Sequence, residues 1–178
     1  RRNAQIVSLK EIGLIIAETG LNKDSVVVDA GAGSGALCCF LAHLCKEAVT
    51  YDVRDDFIEI VEKNKEFLGL KNLTVKKGDV YEKIDESDVD VVTLDVPEPW
   101  KALHPAAKAL KSGGFIASYS VTVPQMADFV NALHADEHFV HVKTIELIQR
   151  EWEVLDRKVR PKTTQVVHTG FLSFGRQI

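Results

Sequence analysis

Long hydrophobic runs are missing from this chain, and their absence limits what the protein can be. Hydrophobic residues make up 46% of the 178 residues, yet no uninterrupted apolar stretch approaches the roughly 20 residues that a membrane-spanning helix requires. The first residue is Arg1 rather than methionine, and no charged segment with an apolar core and a cleavage site precedes the first predicted helix. We therefore expect a soluble, cytoplasmic protein without an export signal, whose natural beginning is missing.

Cysteine is scarce, and its placement excludes a disulfide framework. Cys38, Cys39 and Cys45 lie in one predicted helix without a CxxC spacing. Neighbouring cysteines of one helix do not form ordinary disulfides, so we expect buried thiols in a reducing compartment. The histidines show no ligand spacing, and no metal site is predicted.

Negative charge predominates over most of the chain but not at its end. The formal net charge is −4, whereas residues 143 to 178 contain seven lysines and arginines against four acids. The sequence RKVRPK at 157 to 162 concentrates positive charge around a proline. Such a cluster can attract the phosphates of a nucleic acid, or it can be a solvated loop, and the sequence leaves both interpretations open.

Strand and helix patterns alternate along the chain. Ser8 and Glu11 form a capping box before a helix that ends at Gly20. Short β-branched runs follow, which is typical of strands covered on both faces, and helical patterns separate them. The predicted strands cover 25–31, 48–53, 73–79, 89–96 and 114–121, and the predicted helices cover 35–46, 55–69, a proline-punctuated segment through Leu110, and 123–135.

This alternation predicts a single α/β domain over residues 1–178, with a Rossmann-like, mostly parallel sheet and helices on both faces. Two long strand-like runs close the chain, at 139–155 and 164–175, with only the basic loop at 156–163 between them. They are expected to pair antiparallel at one edge of the sheet. Ligands of such sheets bind beyond the carboxyl ends of the strands, where the strand order reverses.

A glycine-rich turn, DAGAGSG at 29–35, follows the first predicted strand and opens a helix. Gly31 and Gly33 allow a sharp turn and the close approach of a ligand, and Gly35 allows tight helix packing. The turn satisfies the loose dinucleotide pattern as well as that of S-adenosylmethionine enzymes. Asp52, at the end of the second strand, fits either ligand because both carry ribose hydroxyls.

Further acids favour S-adenosylmethionine over a dinucleotide. Asp29 stands directly before the turn, and Asp79 ends the third strand, where a carboxylate can accept from the exocyclic amine of adenine. The antiparallel end of the chain also departs from a dinucleotide-binding domain. Together these features resemble the class I S-adenosylmethionine-dependent methyltransferases, whose seven-stranded sheet has an antiparallel last strand.

The fourth strand ends in TLDVPEPWKAL at 93–103. Prolines fix the chain beyond the strand and remove amide donors, so Asp95 is expected to point rigidly from the rim of the sheet into the site. The alternative is a capped helix start, with Asp95 at the helix N-terminus and Trp100 packing under the sheet.

Three motifs give a more specific resemblance. DVPEPW at 95–100, RKVRPKTTQVVHTGFLSF at 157–174 and the opening RRNAQIVSLKE are similar to blocks of the tRNA adenine-N1 methyltransferase family. The resemblance spans essentially the whole chain. It implies methylation of the tRNA T-loop at position 58, and in archaeal members also at 57, by a homotetramer. Family members also carry a small N-terminal β domain that this chain lacks, and an aromatic residue, credited with holding the target base, where Ser8 stands.

The resemblance implies a role for each matching residue. Asp95 would be the catalytic residue, accepting from the adenine amine as positive charge develops on the base. Asp29 would order the turn or meet the amino group of the cofactor. The other implied contacts are Gly31, Gly33, Ser34 and Gly35 with the methionine portion of S-adenosylmethionine, Asp52 with its ribose, Asp79 and Val80 with its adenine, and Arg157, Lys158, Arg160, Lys162 and His168 with tRNA.

Three other functions remain open from the sequence. A methyltransferase for a small molecule or a protein would share the cofactor half but would not need the basic loop. A noncatalytic tRNA-binding subunit would be expected to lose the glycines and carboxylates that remain here. A nicotinamide oxidoreductase would need a hydride-transfer acid and a substrate domain, and the chain offers neither. His168 can likewise be structural.

Overall fold

The computed structural model describes residues 6–164 and 166–178. The first five residues of the opening motif and Gln165 of the closing block lie outside these ranges. Helices and strands alternate as the sequence predicts. The elements are α1 (Leu9–Thr19), β1 (Val26–Ala30), α2 (Ala36–Ala42), β2 (Glu47–Asp52), α3 (Asp55–Leu68), β3 (Leu73–Lys77), β4 (Val89–Leu94), a 3₁₀ helix (Pro99–Ala102), α4 (Leu103–Ala109), β5 (Leu110–Ser120), α5 (Val123–Ala135), β6 (Phe139–Glu146), β7 (Trp152–Leu155), β8 (Lys158–Pro161) and β9 (Phe171–Gln177).

Seven of these strands form one sheet in the order β3-β2-β1-β4-β5-β9-β6. The first five of that order pair in parallel, and β9 runs antiparallel between β5 and β6. The predicted seven-stranded, mostly parallel sheet is therefore confirmed. The chain leaves β1 to one side toward β2 and returns on the other side as β4, so the order reverses at the carboxyl end of β1, where ligands bind in open α/β sheets.

Helices cover both faces of the sheet, because the central strands are buried on both. Val27 and Val91 face a core built with α1, α2 and α3, while the next residues, Val28 and Val92, face a core built with α4 and α5. This follows from the alternation of side chains along a strand. In the described part of the chain, no helix combines the length and the apolar character needed to cross a membrane.

The end of the chain differs from the prediction. The run at 139–155 is not one strand, because β6 ends at Glu146, opposite the first residue of its partner β9. Beyond that point β6 has nothing to pair with. The chain instead forms a separate two-stranded hairpin, β7–β8, whose turn holds Asp156 at φ 50°. Aspartate, here Asp156, tolerates this left-handed conformation better than most residues. The segment predicted as a basic loop is thus largely this hairpin.

A buried ion pair fastens α1 to the segment before β9. Ser8 is the N-cap of α1, but its hydroxyl donates to the carboxylate of Glu11 rather than capping a backbone amide. Glu11 is only 2% exposed, pairs with Lys10 at 2.7 Å and accepts from the Thr169 hydroxyl at 2.5 Å. Burial acts to raise the pKa of Glu11, but the hydrogen bonds from Lys10, Ser8 and Thr169 outweigh it and lower the pKa, so the ion pair persists.

Removing Glu11 should therefore destabilise the fold strongly. The Glu11→Ala variant removes a carboxylate that is only 2% exposed and leaves the partly buried ammonium of Lys10 without its ion partner, and we expect a loss of about 3 kcal/mol in the free energy of unfolding. The matched control is Glu18→Ala on the same helix, which breaks a more exposed pair with Lys143 and should cost under about 1 kcal/mol. Urea unfolding at pH 7 measures both, and equal losses would contradict the assignment.

Candidate functional site

A cavity of about 400 Å³ opens at the carboxyl ends of the parallel strands, beside the reversal of strand order. Its wall combines the glycine turn after β1, the ends of β2 and β4, and the turn that follows β3. Residues from the tips of the first four predicted strands meet here, although they are far apart in sequence. The lining residues that matter below are Gly31, Asp52, Asp79, Val80, Tyr81 and Asp95.

The glycine turn brings β1 and β4 together at the cavity floor. A Cβ atom on Gly31 would lie 3.1 Å from the carbonyl oxygen of Asp95, so a side chain at this position would push the two strand tips apart. Gly35 has φ +83°, a conformation that side chains rarely adopt, and packs against Val61 of α3. The turn therefore requires glycine at these positions, as its sequence predicts.

Asp52 is fixed at the end of β2 by two backbone amides. Its Oδ2 accepts from the amide of Gly33 at 3.2 Å, and its Oδ1 accepts from the amide of Arg54 at 3.0 Å. The side chain lines the cavity and is 7% exposed. Because each carboxylate oxygen can accept a further hydrogen bond, the predicted contact with ribose hydroxyls is geometrically open.

The turn after β3 forms the opposite wall. Asp79 Oδ1 accepts from the Tyr81 amide at 2.9 Å, and Val80 presents a buried apolar side chain. The Tyr81 hydroxyl accepts from the amide of Glu98 at 2.9 Å, which joins this wall to the loop after β4. Tyr81 was not among the predicted site residues, although it stands two residues after Asp79.

A second tyrosine supports this wall from behind. Tyr51 lies against Gly78, and its hydroxyl donates to Glu86 at 2.6 Å. Lys76 donates to the other carboxylate oxygen of Glu86 at 2.6 Å. The hydrogen bond to Glu86 raises the pKa of Lys76, which keeps this support charged. These contacts hold the turn that carries Asp79 and Val80 in one position, and the ligand contact of these two residues stays a prediction.

Asp95 occupies the junction of two spaces. Its amide donates to the carbonyl of Ala30 at 2.5 Å, and the residue lines both the main cavity and a smaller recess lined by Ile6, Gly33 and Ser34. Within the described residues, its carboxylate accepts no hydrogen bond from the chain. Burial, and then the negative charge of Asp29, raise the pKa of Asp95 to about 7.

The alternative interpretation of this segment is wrong in one respect. The 3₁₀ helix begins after Glu98, which is its N-cap, so Asp95 does not cap a helix. Asp95 instead lies three residues earlier, at the rim of the sheet. The segment DVPEPW is therefore a loop that presents a carboxylate and only then enters a helical turn.

The predicted contact between Asp29 and the cofactor is wrong. Asp29 is 2% exposed and does not line the cavity. Its two oxygens accept from the hydroxyls of Thr50 and Thr93, each at 2.7 Å. Since these threonines lie on β2 and β4, Asp29 braces the three central strands beneath the site. The other expectation, that Asp29 orders the turn, agrees with this position.

The basic residues near the end of the chain are largely paired. On the β7–β8 hairpin, Arg160 and Lys158 lie 3.0 and 3.7 Å from Glu153, and Lys162 pairs with Glu151. Arg157 stands at the hairpin turn, exposed to solvent. The positive potential expected from RKVRPK is therefore reduced by acids that precede their partners by five to eleven residues.

His168 is bound to the chain through both ring nitrogens. Nδ1 lies 2.6 Å from a carboxylate oxygen of Glu146, and Nε2 lies 3.2 Å from the carbonyl oxygen of Val121. Both partners are acceptors, so this arrangement is suited to an imidazolium that donates from both nitrogens. The hydrogen bond to Glu146 raises the pKa of His168 accordingly. This geometry favours the structural interpretation, and a contact with RNA stays a prediction.

The sheet order, the glycine turn and the acids at the strand tips together define a class I methyltransferase, the class that uses S-adenosylmethionine. A more specific assignment comes from sequence comparison. The family model described as "tRNA methyltransferase complex GCD14 subunit" matches residues 1–163. The chain belongs to this family, which confirms the resemblance seen in its motifs.

Individual relatives agree with this membership. A protein of Methanocaldococcus jannaschii, named tRNA (adenine(57)-N(1)/adenine(58)-N(1))-methyltransferase TrmI, is 36% identical over 206 residues, covering 99% of this chain and 73% of that protein. The crystal structure of tRNA (m1A58) methyltransferase TrmI from Aquifex aeolicus is 27% identical with a TM-score of 0.92, covering 100% of this chain and 72% of that one. An S-adenosylmethionine-dependent O-methyltransferase from Thermotoga maritima is 30% identical with a TM-score of 0.93, covering 98% and 67%.

The burial of Asp95 has a measurable consequence for stability. The pKa of the Asp95 carboxyl is about 3.9 in an unfolded chain and about 7 in the folded protein. Between these two pH values the folded state binds the proton of Asp95 more tightly than the unfolded state does. Stability therefore falls as pH rises through this window. In urea unfolding at pH 8, Asp95→Asn should be more stable than the wild type by roughly 2 to 4 kcal/mol, and the advantage should disappear near pH 4. A difference that does not change with pH would contradict this.

Proposed function

We propose that the chain transfers a methyl group from S-adenosylmethionine to N1 of adenine in the T-loop of tRNA, at position 58 with position 57 as a further target. The observation that carries the proposal is the placement of Asp95, which lines both the main cavity and the adjoining recess and whose carboxylate accepts no hydrogen bond from the described residues. The activity named for the Methanocaldococcus jannaschii relative supports the choice of adenine N1.

The residues around the main cavity fit S-adenosylmethionine. Its sulfonium group, when bound, supplies an electrophilic methyl group. Asp52 offers carboxylate oxygens to the ribose hydroxyls, and Asp79 with Val80 offers an acceptor and an apolar wall to the adenine. Gly31, Gly33, Ser34 and Gly35 form the turn on which the methionine portion would lie. The negative charge of Asp95 favours a cationic ligand beside it.

Methyl transfer to adenine N1 requires positioning more than acid–base catalysis. The N1 lone pair is free, so no proton must be removed before attack. Positive charge leaves sulfur and develops on the adenine ring. Asp95 would accept from the adenine N6 amine, which orients the ring and stabilises that charge by about 2 to 4 kcal/mol, the size found for other preorganised polar groups. The product keeps the positive charge, so the step balances without a base.

The macromolecular partners of the proposal are tRNA and further copies of the chain. The target base lies within a folded loop and must be turned out to reach the site. The hairpin exposes Trp152, Val154, Leu155 and Val159, and an isolated two-stranded ribbon is marginally stable in water. We infer that these side chains pack in a homo-oligomer, for which the resemblance suggests a tetramer. Residues 1–178 would act as one catalytic domain in the cytoplasm.

A methyltransferase for a small molecule or a protein is the second candidate. The Thermotoga maritima structure favours keeping it, because a protein named an O-methyltransferase shares this fold at a TM-score of 0.93. A noncatalytic tRNA-binding subunit is the third, although the glycines and carboxylates of the site are all in place. The experiment below separates the three.

Replacing Asp95 should abolish most of the transfer. Unmodified tRNA is incubated with labelled S-adenosylmethionine, and the nucleosides are analysed by mass spectrometry. We expect N1-methyladenosine from the wild type and a rate about 10² to 10³ lower from Asp95→Ala, with cofactor binding measured by calorimetry. The control, Asp128→Ala, removes an exposed acid of α5 and should retain the wild-type rate. Label on another base, or an unaffected Asp95→Ala, would contradict the proposal.

The hairpin charges should contribute to tRNA binding but not to cofactor binding. In the double variant Arg157→Ala/Lys158→Ala, tRNA affinity should fall, and the slope of log affinity against log salt should shrink by about one to two. The control, Lys23→Ala/Lys71→Ala, removes two exposed lysines that precede β1 and β3, on the opposite rim of the sheet. Sedimentation checks that both variants keep the wild-type assembly. Equal losses in the two variants would argue against a tRNA contact at the hairpin.

A further inference from the structure

The side chain of Gln125 links three segments around the site. Its Nε2 donates to the carbonyl oxygens of Val96 and Pro97, at 3.0 and 3.1 Å. Its Oε1 accepts from the amide of Val121 at 3.0 Å. One amide group in the first turn of α5 thus bonds to the backbone directly after Asp95 and to the end of β5.

The loop after Asp95 depends on such side-chain contacts. Pro97 and Pro99 have no amide hydrogen, so the loop has few donors with which to fix its own shape. The backbone amide of Asp95 donates to the carbonyl of Ala30. The backbone of the residues that follow, Val96 to Glu98, is instead bonded to side chains of other segments. Tyr81 holds Glu98 from the cofactor side, and Gln125 holds Val96 and Pro97 from the other.

The anchor of Gln125 is itself held in place. The carbonyl of Val121 accepts from Nε2 of His168, while its amide donates to Gln125. His168 in turn bonds to Glu146 at the end of β6. A continuous set of hydrogen bonds therefore runs from the antiparallel edge of the sheet to the backbone beside Asp95.

We propose that Gln125 is a positioning residue for methyl transfer, because its amide fixes the backbone after Asp95 and thereby the direction of the Asp95 carboxylate. This role depends on the proposed function. The two hydrogen bonds that Gln125 donates are distinct from capping, since the N-cap of α5 is the Thr122 hydroxyl, which accepts from the Gln125 amide at 3.3 Å. Substitutions at Gln125 and at Thr122 therefore distinguish a positioning role from helix capping.

Two substitutions at Gln125 remove its donors while preserving its size. Gln125→Met removes the whole amide, and Gln125→Glu keeps an acceptor for Val121 while replacing the donors to Val96 and Pro97 with a carboxylate. Both should lower kcat about 10- to 100-fold, since small displacements of a catalytic group have effects of this size. The Kd for S-adenosylmethionine and the KM for tRNA should change less than about threefold, because neither ligand contacts Gln125 in the proposed arrangement.

Thr122→Ala is the matched control. It removes the cap from the same helix turn and leaves the Gln125 side chain intact, so Tm should fall while kcat changes less than about twofold. If both Gln125 variants keep kcat within twofold of the wild type, the proposal is overturned. The same holds if Thr122→Ala lowers both Tm and kcat as far as the Gln125 variants do.

A second measurement does not require tRNA activity. The carboxyl carbon of Asp95 is followed by NMR across pH in protein with labelled aspartate, and Asp95→Asn assigns the signal. In Gln125→Met a released loop should admit water, so the titration midpoint should fall by at least about 0.5 from the wild-type value. An unchanged midpoint overturns the positioning role. If the wild type makes no N1-methyladenosine while the midpoint still falls in Gln125→Met, the proposed function is refuted and the structural link stands.

Discussion

The close approach of β1 and β4 at their carboxyl ends is the constraint on which the site depends. The amide of Asp95 bonds to the carbonyl of Ala30 at 2.5 Å, and the next residue, Gly31, has no side chain to separate the strands. Because of this contact, the glycine turn and Asp95 line the same cavity. Beneath it, Asp29 bonds to threonines of β2 and β4 and holds the central strands in register.

Three aspartates at this edge of the sheet have different hydrogen-bond partners, and these partners indicate which aspartate supports the fold and which is available to a ligand. Hydroxyl groups satisfy Asp29, and backbone amides satisfy Asp52. Asp95 has no such donor within the described residues, and burial raises its pKa to about 7. A carboxylate that the protein leaves unsatisfied is costly to the fold, and it is suited to a ligand that brings both positive charge and hydrogen-bond donors.

The periphery of the site is held by side chains more than by the sheet. Tyr81 and Gln125 bond to opposite sides of the proline-containing loop, and His168 connects that loop to the antiparallel edge through Val121. The charged hairpin extends beyond this edge with its positive groups mostly paired to Glu151 and Glu153. The sheet-supported side of the cavity and the side-chain-supported loop therefore meet at Asp95.

The sequence by itself determined the alternating elements, the glycine turn and the acids at the strand tips, because these depend on local periodicity and on residues adjacent in the chain. It also carried the motifs of the family. Only the tertiary structure decided that Asp29 faces threonines rather than a ligand, and that the last long run divides where β9 no longer accompanies β6. It alone revealed that Gln125 reaches Val96 and Pro97. These are contacts between residues 21 to 64 positions apart, or choices of strand partner, and no local pattern specifies them.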